Sequence, residues 1–137
     1  ARSLGASIAV SSDIGVEALR EIVGRNIDVV LECSGNHAMA RFAVECAGFR
    51  ARVVMVGASV EPFNITTGEL IWREMSVQGS RGFTPHDIET VLDHVRHGRL
   101  TTDHLTEDRR PWREANVAID DLREGRTTRT VLIMSDT

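Results

Sequence analysis

The chain has 137 residues, 42% hydrophobic and 26% charged, with a formal net charge of −4. That suits one domain of moderate core, and with no basic block it gives nucleic-acid binding no footing. The longest apolar run, VVMVGASV, is far too short to span a bilayer, so a membrane role is also excluded from the reading.

In chain order, ARSLGAS reads as the end of a helix, with Ala1 and Leu4 on one face and Gly5 as its stop. A helix end without its first half, and without an initiating Met, leads us to expect truncation upstream. Ser7–Val10 is a short strand candidate. Val16, Leu19, Ile22 and Val23 have helical spacing closed by Gly24. Ile27–Cys33 is a β-branched and aliphatic run that breaks at Ser34-Gly35-Asn36, as a buried strand does. Met39, Phe42, Ala43 and Cys46 share a helical face, and Arg52–Val56 is a further apolar strand ending at Gly57.

Pro62 breaks the chain, Asn64–Trp72 is extended or partly helical, and Met75–Gly79 is a strand. Thr84-Pro85-His86-Asp87 is a helix start, with a hydroxyl cap, a first-turn proline and an acid near the free amides. Ile88, Val91, Leu92 and Val95 continue one face to Gly98. Ala115, Ala118, Ile119 and Leu122 form the last helix, and Val131–Met134 the last strand. Alternating helices and doubly apolar strands predict one α/β domain, a parallel sheet with helices on both faces.

The chemistry-bearing residues are few. All 16 basic residues are arginines, so no Schiff-base lysine is available. Cys33 and Cys46 have neither disulfide-framework nor C-x-x-C spacing, which fits reduced thiols and a cytoplasmic setting. Cys33 reads as packing, because no histidine stands near it in sequence to activate it. His94 and His97 have a spacing that can bind metal, but lack a third ligand and read as a solvated helix face. On pattern alone, Arg129 is a solvated arginine beside the last strand.

DVVLECSGN, a helix, RVVMVGAS, EMSVQGSRGFT, and then Pro111-Trp112, a helix and GRTTRTVLIM stand in one order. In that order they resemble the second half of the cofactor domain of medium-chain dehydrogenases. The wording LECSGN leans toward the zinc-containing alcohol, polyol and threonine dehydrogenase branch. The resemblance implies a Rossmann-like doubly wound sheet of order 3-2-1-4-5-6, with strands 3 to 6 present and the first two strands and glycine-rich loop missing. Strand 4 would then have an open apolar edge, met by Ser7–Val10, a second copy or the rest of an enzyme.

In open parallel sheets, ligands sit beyond the carboxyl ends of the strands. The resemblance implies that Cys33, Ser34 and Gly35 lie near the adenosine half of NAD or NADP. Val56, Gly57 and Ala58 would lie against the nicotinamide, Gly79 and Arg81 at the carboxamide, and Arg129 on the pyrophosphate. It also places Asp108 where the family has the histidine of a Leu-Thr-His stretch, which weakens any role for His104. The zinc ligands and proton relay of the family belong to an N-terminal domain, so this segment implies no catalytic residue and no metal site of its own.

The implied whole enzyme moves a hydride between a small alcohol or carbonyl substrate and nicotinamide, and forms a homo-oligomer through an extended segment matching Asn64–Ile71. Two other readings stay open: a non-catalytic nucleotide-binding or dimerisation module, and the zinc-independent quinone or enoyl reductase branch. The resemblance implies that the residue separating NAD from NADP lies upstream of Ala1, so the two cofactors stay open, as does the substrate.

Overall fold

In a computed structural model, which describes residues 1–134, the chain forms two compact units, Ala1–Gly82 and a second beginning at Phe83. The first opens with a 3-10 turn, Arg2–Leu4, stopped by Gly5 at φ 97°. Ser7–Val10, expected as a strand, forms none: Ile8 and Val10 are exposed and the segment enters no ladder. A lone strand leaves its amides and carbonyls unpaired, and no neighbour among the described residues supplies their partners.

Helix α1 (Val16–Val23) ends at left-handed Gly24, as its spacing predicts. Strands β1 (Val29–Glu32), β2 (Arg52–Met55) and β3 (Ser76–Gly79) form a parallel sheet in that order. Its register places Val30, Val53 and Val77 in one row. Helix α2 (His37–Cys46) starts at Asn36, whose Oδ1 accepts from the amides of Ala38 (2.8 Å) and Met39 (3.4 Å). Its small face, Ala40, Ala43 and Val44, lets it approach the sheet closely. The core is Val44, Val53, Ala43, Ala47, Ala51 and Met75, rimmed by Val30, Met55, Phe63, Ile65, Leu70 and Val77.

The opposite row of the sheet is different. Val29 and Leu31 are 54% and 63% exposed, and their row neighbours Arg52, Ser76 and Gln78 are exposed too. Helical cover, expected on both faces, is therefore built on one face within this unit. The outer edge of β1 has no strand partner among the described residues, so the open apolar edge is present.

Asn64–Trp72, read from its residues as extended or partly helical, takes the partly helical form as α3 (Thr67–Arg73), where the resemblance implies an extended segment at Asn64–Ile71. The reason is a capping box: Thr66 Oγ1 accepts from the Glu69 amide (3.2 Å) and Glu69 Oε2 accepts from the Thr66 amide (2.8 Å). Arg41 of α2 reaches across to Glu69 (2.7 Å) and to the Asn64 carbonyl (2.9 Å). Arg73 donates to the last carbonyls of α2, those of Val44 (2.9 Å), Glu45 (3.3 Å) and Ala47, where a cation also offsets the helix dipole.

In the second unit, α4 (Pro85–Arg96) has the predicted start. Thr84 Oγ1 accepts from the Asp87 amide (3.3 Å) and Asp87 Oδ2 accepts from the Thr84 amide (2.7 Å). Strand β4 (Arg109–Pro111) was not foreseen, because two arginines and a proline hide a strand from hydrophobic patterning. It pairs in parallel with β5 (Val131–Ile133), and α5 (Ala115–Arg123) forms the crossover. No helix among the described residues is long and apolar enough to cross a membrane.

Candidate functional site

The carboxyl end of β1 is organised by Glu32, which is 6% exposed. Its side chain accepts from the Ser34 amide (2.7 Å), the Ser34 hydroxyl and the Gly35 amide (3.4 Å). Its backbone carbonyl accepts from the amides of Val56 (2.8 Å) and Gly57 (2.9 Å). One residue thus ties the loop after β1 to the loop after β2. The Ser34 hydroxyl, ahead of the Ser34 and Gly35 amides, holds the Glu32 carboxyl below the usual glutamate range against the opposing effect of burial. Sequence reasoning missed this residue. Its signal was a single acid at the end of the apolar run DVVLEC, a place where an acid must find donors or stay neutral.

The two loops meet glycine against glycine. A Cβ on Gly57 would fall 2.2 Å from the Gly35 nitrogen and 2.9 Å from Glu32 Oε2. A Cβ on Gly35, which sits at φ 70°, would fall 2.7 Å from the Ala58 carbonyl oxygen. The resemblance implies that these glycines lie beside the cofactor. The structure shows a requirement of their own, the close approach of the loops to each other. Gly35, Gly57 and Ala58 share a cavity of about 460 Å³ with Glu32, Met55 and Phe63. His37, at the start of α2, pairs with Glu61 of the second loop at 2.8 Å.

The other expected residues fall elsewhere. Cys33 and Ser34 line a separate groove of about 440 Å³ along the open edge of β1, with Leu19, Val29, Leu31 and Phe42. Val56 is half exposed. At the end of β3, a Cβ on Gly79 would meet nothing within 4 Å among the described residues, so that strand end is open, and Arg81 beyond it is exposed. Arg129 belongs to the second unit and is exposed on the loop before β5.

The residues present do not fit a zinc site. No group of three or more His, Cys, Asp or Glu among the described residues could hold a metal ion. His94 Nδ1 accepts from Arg99 (2.8 Å) while His97 Nδ1 faces Asp93 (3.0 Å), so the pair does not converge. Cys33 is exposed and Cys46 buried, both as free thiols, and burial pushes the Cys46 thiol up. His104 Nδ1 is buried without a hydrogen-bond partner among the described residues.

A family model described as zinc-binding dehydrogenase matches residues 1–97. The chain belongs to the zinc-binding dehydrogenase family. Among curated relatives of this family member, the S-(hydroxymethyl)glutathione dehydrogenase of Saccharomyces cerevisiae is 29% identical over 125 residues. That match takes in 85% of the chain but only 32% of the relative, so the chain spans about a third of that protein's length. Among solved structures, an alcohol dehydrogenase from a Thermus species superposes with TM-score 0.87 at 22% identity, over 98% of this chain and 40% of that one. A short chain alcohol dehydrogenase from E. coli, solved with cofactor NADH, gives TM-score 0.83 at 19% identity, over 97% and 40%. At these identities the two structures establish the dehydrogenase-domain fold, Rossmann-like α/β with parallel strands.

Proposed function

We propose that this chain forms the carboxyl-terminal part of a dinucleotide-binding domain in an NAD- or NADP-dependent oxidoreductase acting on a small alcohol or polyol. The observation that carries the reading is the side-by-side ending of β1, β2 and β3. The first two ends are locked together through Glu32 and paired glycines, and the third is left open at Gly79. Ligands of parallel sheets gather at such ends. Nicotinamide, when bound, accepts or gives the hydride. This chain's part is to shape the floor beneath it through Gly35, Val56 to Ala58 and Gly79, and to offer the Arg129 guanidinium to the phosphates. Zinc, if the whole protein uses it, is held outside this segment.

Exposed Ile71 (71%) and Trp72 (83%) on α3 support self-association beside Asn64–Ile71. Replacing both with aspartate should lower the oligomeric state seen by light scattering of the whole protein. The free thiols fit a reducing, cytoplasmic setting.

The cofactor reading is tested by Arg129→Ala in the whole protein. Losing a charged hydrogen-bond partner should raise the cofactor KM by about 10- to 100-fold, with kcat at saturating cofactor changed far less. An unchanged cofactor KM would overturn the assignment. The isolated chain lacks a glycine-rich phosphate loop and should bind NADH no more tightly than about 1 mM, near 4 kcal/mol.

A further inference from the structure

Arg129 stands on the loop that joins α5 to β5, and among the described residues its guanidinium has no hydrogen-bond or ion-pair partner. The loop around it is heavily tied. The Thr130 hydroxyl donates to Asp108 Oδ2 at 2.5 Å, and the Val131 amide donates to the Asp108 carbonyl at 2.8 Å. On the other side, the Thr127 hydroxyl donates to the Arg129 carbonyl at 3.3 Å. The Arg126 amide donates to the Asp121 carbonyl at 2.8 Å, and the Arg126 side chain reaches Asp121 Oδ1 at 2.6–2.7 Å.

The two aspartates are themselves joined. Arg110, in β4, donates Nε to Asp108 Oδ1 (2.8 Å) and Nη1 to Asp121 Oδ2 (2.6 Å). All three side chains are largely sheltered, at 26%, 22% and 15% exposure for Asp108, Arg110 and Asp121. Arg110 and Arg126 both spend donors on these carboxylates, Arg126 pairing with Glu124 as well, while Arg129, two residues from Thr127, has no partner in the network. A loop fixed at Arg126, Thr130 and Val131, with a guanidinium between that is unpaired among the described residues, presents that guanidinium from a defined place.

We infer that Asp108 is a positioning residue for Arg129, acting through Thr130 and the Arg110–Asp121–Arg126 network to hold the loop that delivers Arg129 to the cofactor phosphates. This rests on the cofactor reading of Arg129 given above. Free loops lose affinity because the ligand must order them, so a loop already fixed spares that cost.

The test is a double-mutant cycle in the whole protein, read as cofactor KM and kcat for Asp108→Asn, Arg129→Ala and the pair. Asp108→Asn should raise the cofactor KM by about three- to ten-fold with kcat nearly kept, and in the Arg129→Ala background it should add nothing further. Thr130→Val, which removes one loop tie and leaves the arginine–aspartate network whole, should show the same split if Asp108→Asn does not fold. Additive effects of Asp108→Asn and Arg129→Ala, or an unchanged KM in both Asp108→Asn and Thr130→Val, would overturn the positioning role. An unchanged KM in Arg129→Ala would overturn the cofactor reading itself, whatever Asp108→Asn does.

Discussion

The unit ending at Gly82 and the unit beginning at Phe83 draw on different interactions. In the first, Val44 and Val53 are fully buried beneath small alanines, and arginines such as Arg73 serve to close the ends of a helix over that core. In the second, Ala118 is the one buried hydrophobic residue among those described, and Ile88, Val91, Leu92 and Ile119 are nearly half exposed. Its order at β4, α5 and β5 comes instead from Arg110 and Arg126 between Asp108 and Asp121. Apolar burial is not weakened by charge screening and does not titrate, whereas a partly sheltered ion network responds to both salt and pH. The difference teaches where each unit should fail first.

The largest effect should come from the first core. Val44→Ala removes two buried methyl groups and leaves a cavity, and should cost about 2–3 kcal/mol of stability in a denaturant titration. A shift below half that would mean that the core relaxes far more than its packing suggests. Gly57→Ala should follow at about 1–3 kcal/mol, since its Cβ would strike backbone rather than a yielding side chain. The same change at Gly79 should leave stability almost untouched, and equal costs at the two glycines would refute the loop-against-loop account.

Acid should act next, on the carboxylates of both units. Arg41 and the Thr66 amide hold the Glu69 carboxyl down to about 2. Asp108 and Asp121 are lowered chiefly by Arg110, and Glu32 chiefly by the Ser34 hydroxyl. For a lowered carboxyl, the stabilising contribution is complete above its ordinary value, near 4.5 for glutamate and 3.8 for aspartate, and is lost as pH falls through the folded value. Melting temperature should therefore drop steadily from pH 5 toward about 2. A flat profile would show that these pairs contribute nothing to stability.

Salt should separate the two units more finely. Raising ionic strength should increase amide exchange around Arg126–Val131 while leaving Val53 and Val54 protected, as read by hydrogen exchange. The smallest effect belongs to the surface: Val60, fully exposed, should accept serine within about 0.5 kcal/mol.

Local signals carried much of this in the sequence. The helix at Val16–Val23, the Thr84–Asp87 start of α4, and the strands after Ile27, Arg52 and Met75 were all legible. Each depends on periodicity, capping residues or β-branched runs that act over a few neighbouring positions. The dehydrogenase relationship was legible for a related reason, since the order and spacing of its motifs survive in a linear string.

What only the tertiary structure decided is the set of relations between distant residues. Ser7–Val10 has the composition of a strand, but a strand exists only in a ladder and no partner reaches it. Arg109–Pro111 lacks the composition and is a strand, because β5 lies beside it. Glu32 looked like one acid in an apolar run until two separate loops closed on it. Asp108, Arg110, Asp121, Arg126 and Thr130 are unremarkable in the string. They become one network only when α5 folds back and sets β5 against β4, bringing side chains up to 22 positions apart within hydrogen-bond reach. Local propensity is a property of neighbours in sequence; registry, burial and charge pairing belong to neighbours in space, and those are set when the chain closes on itself.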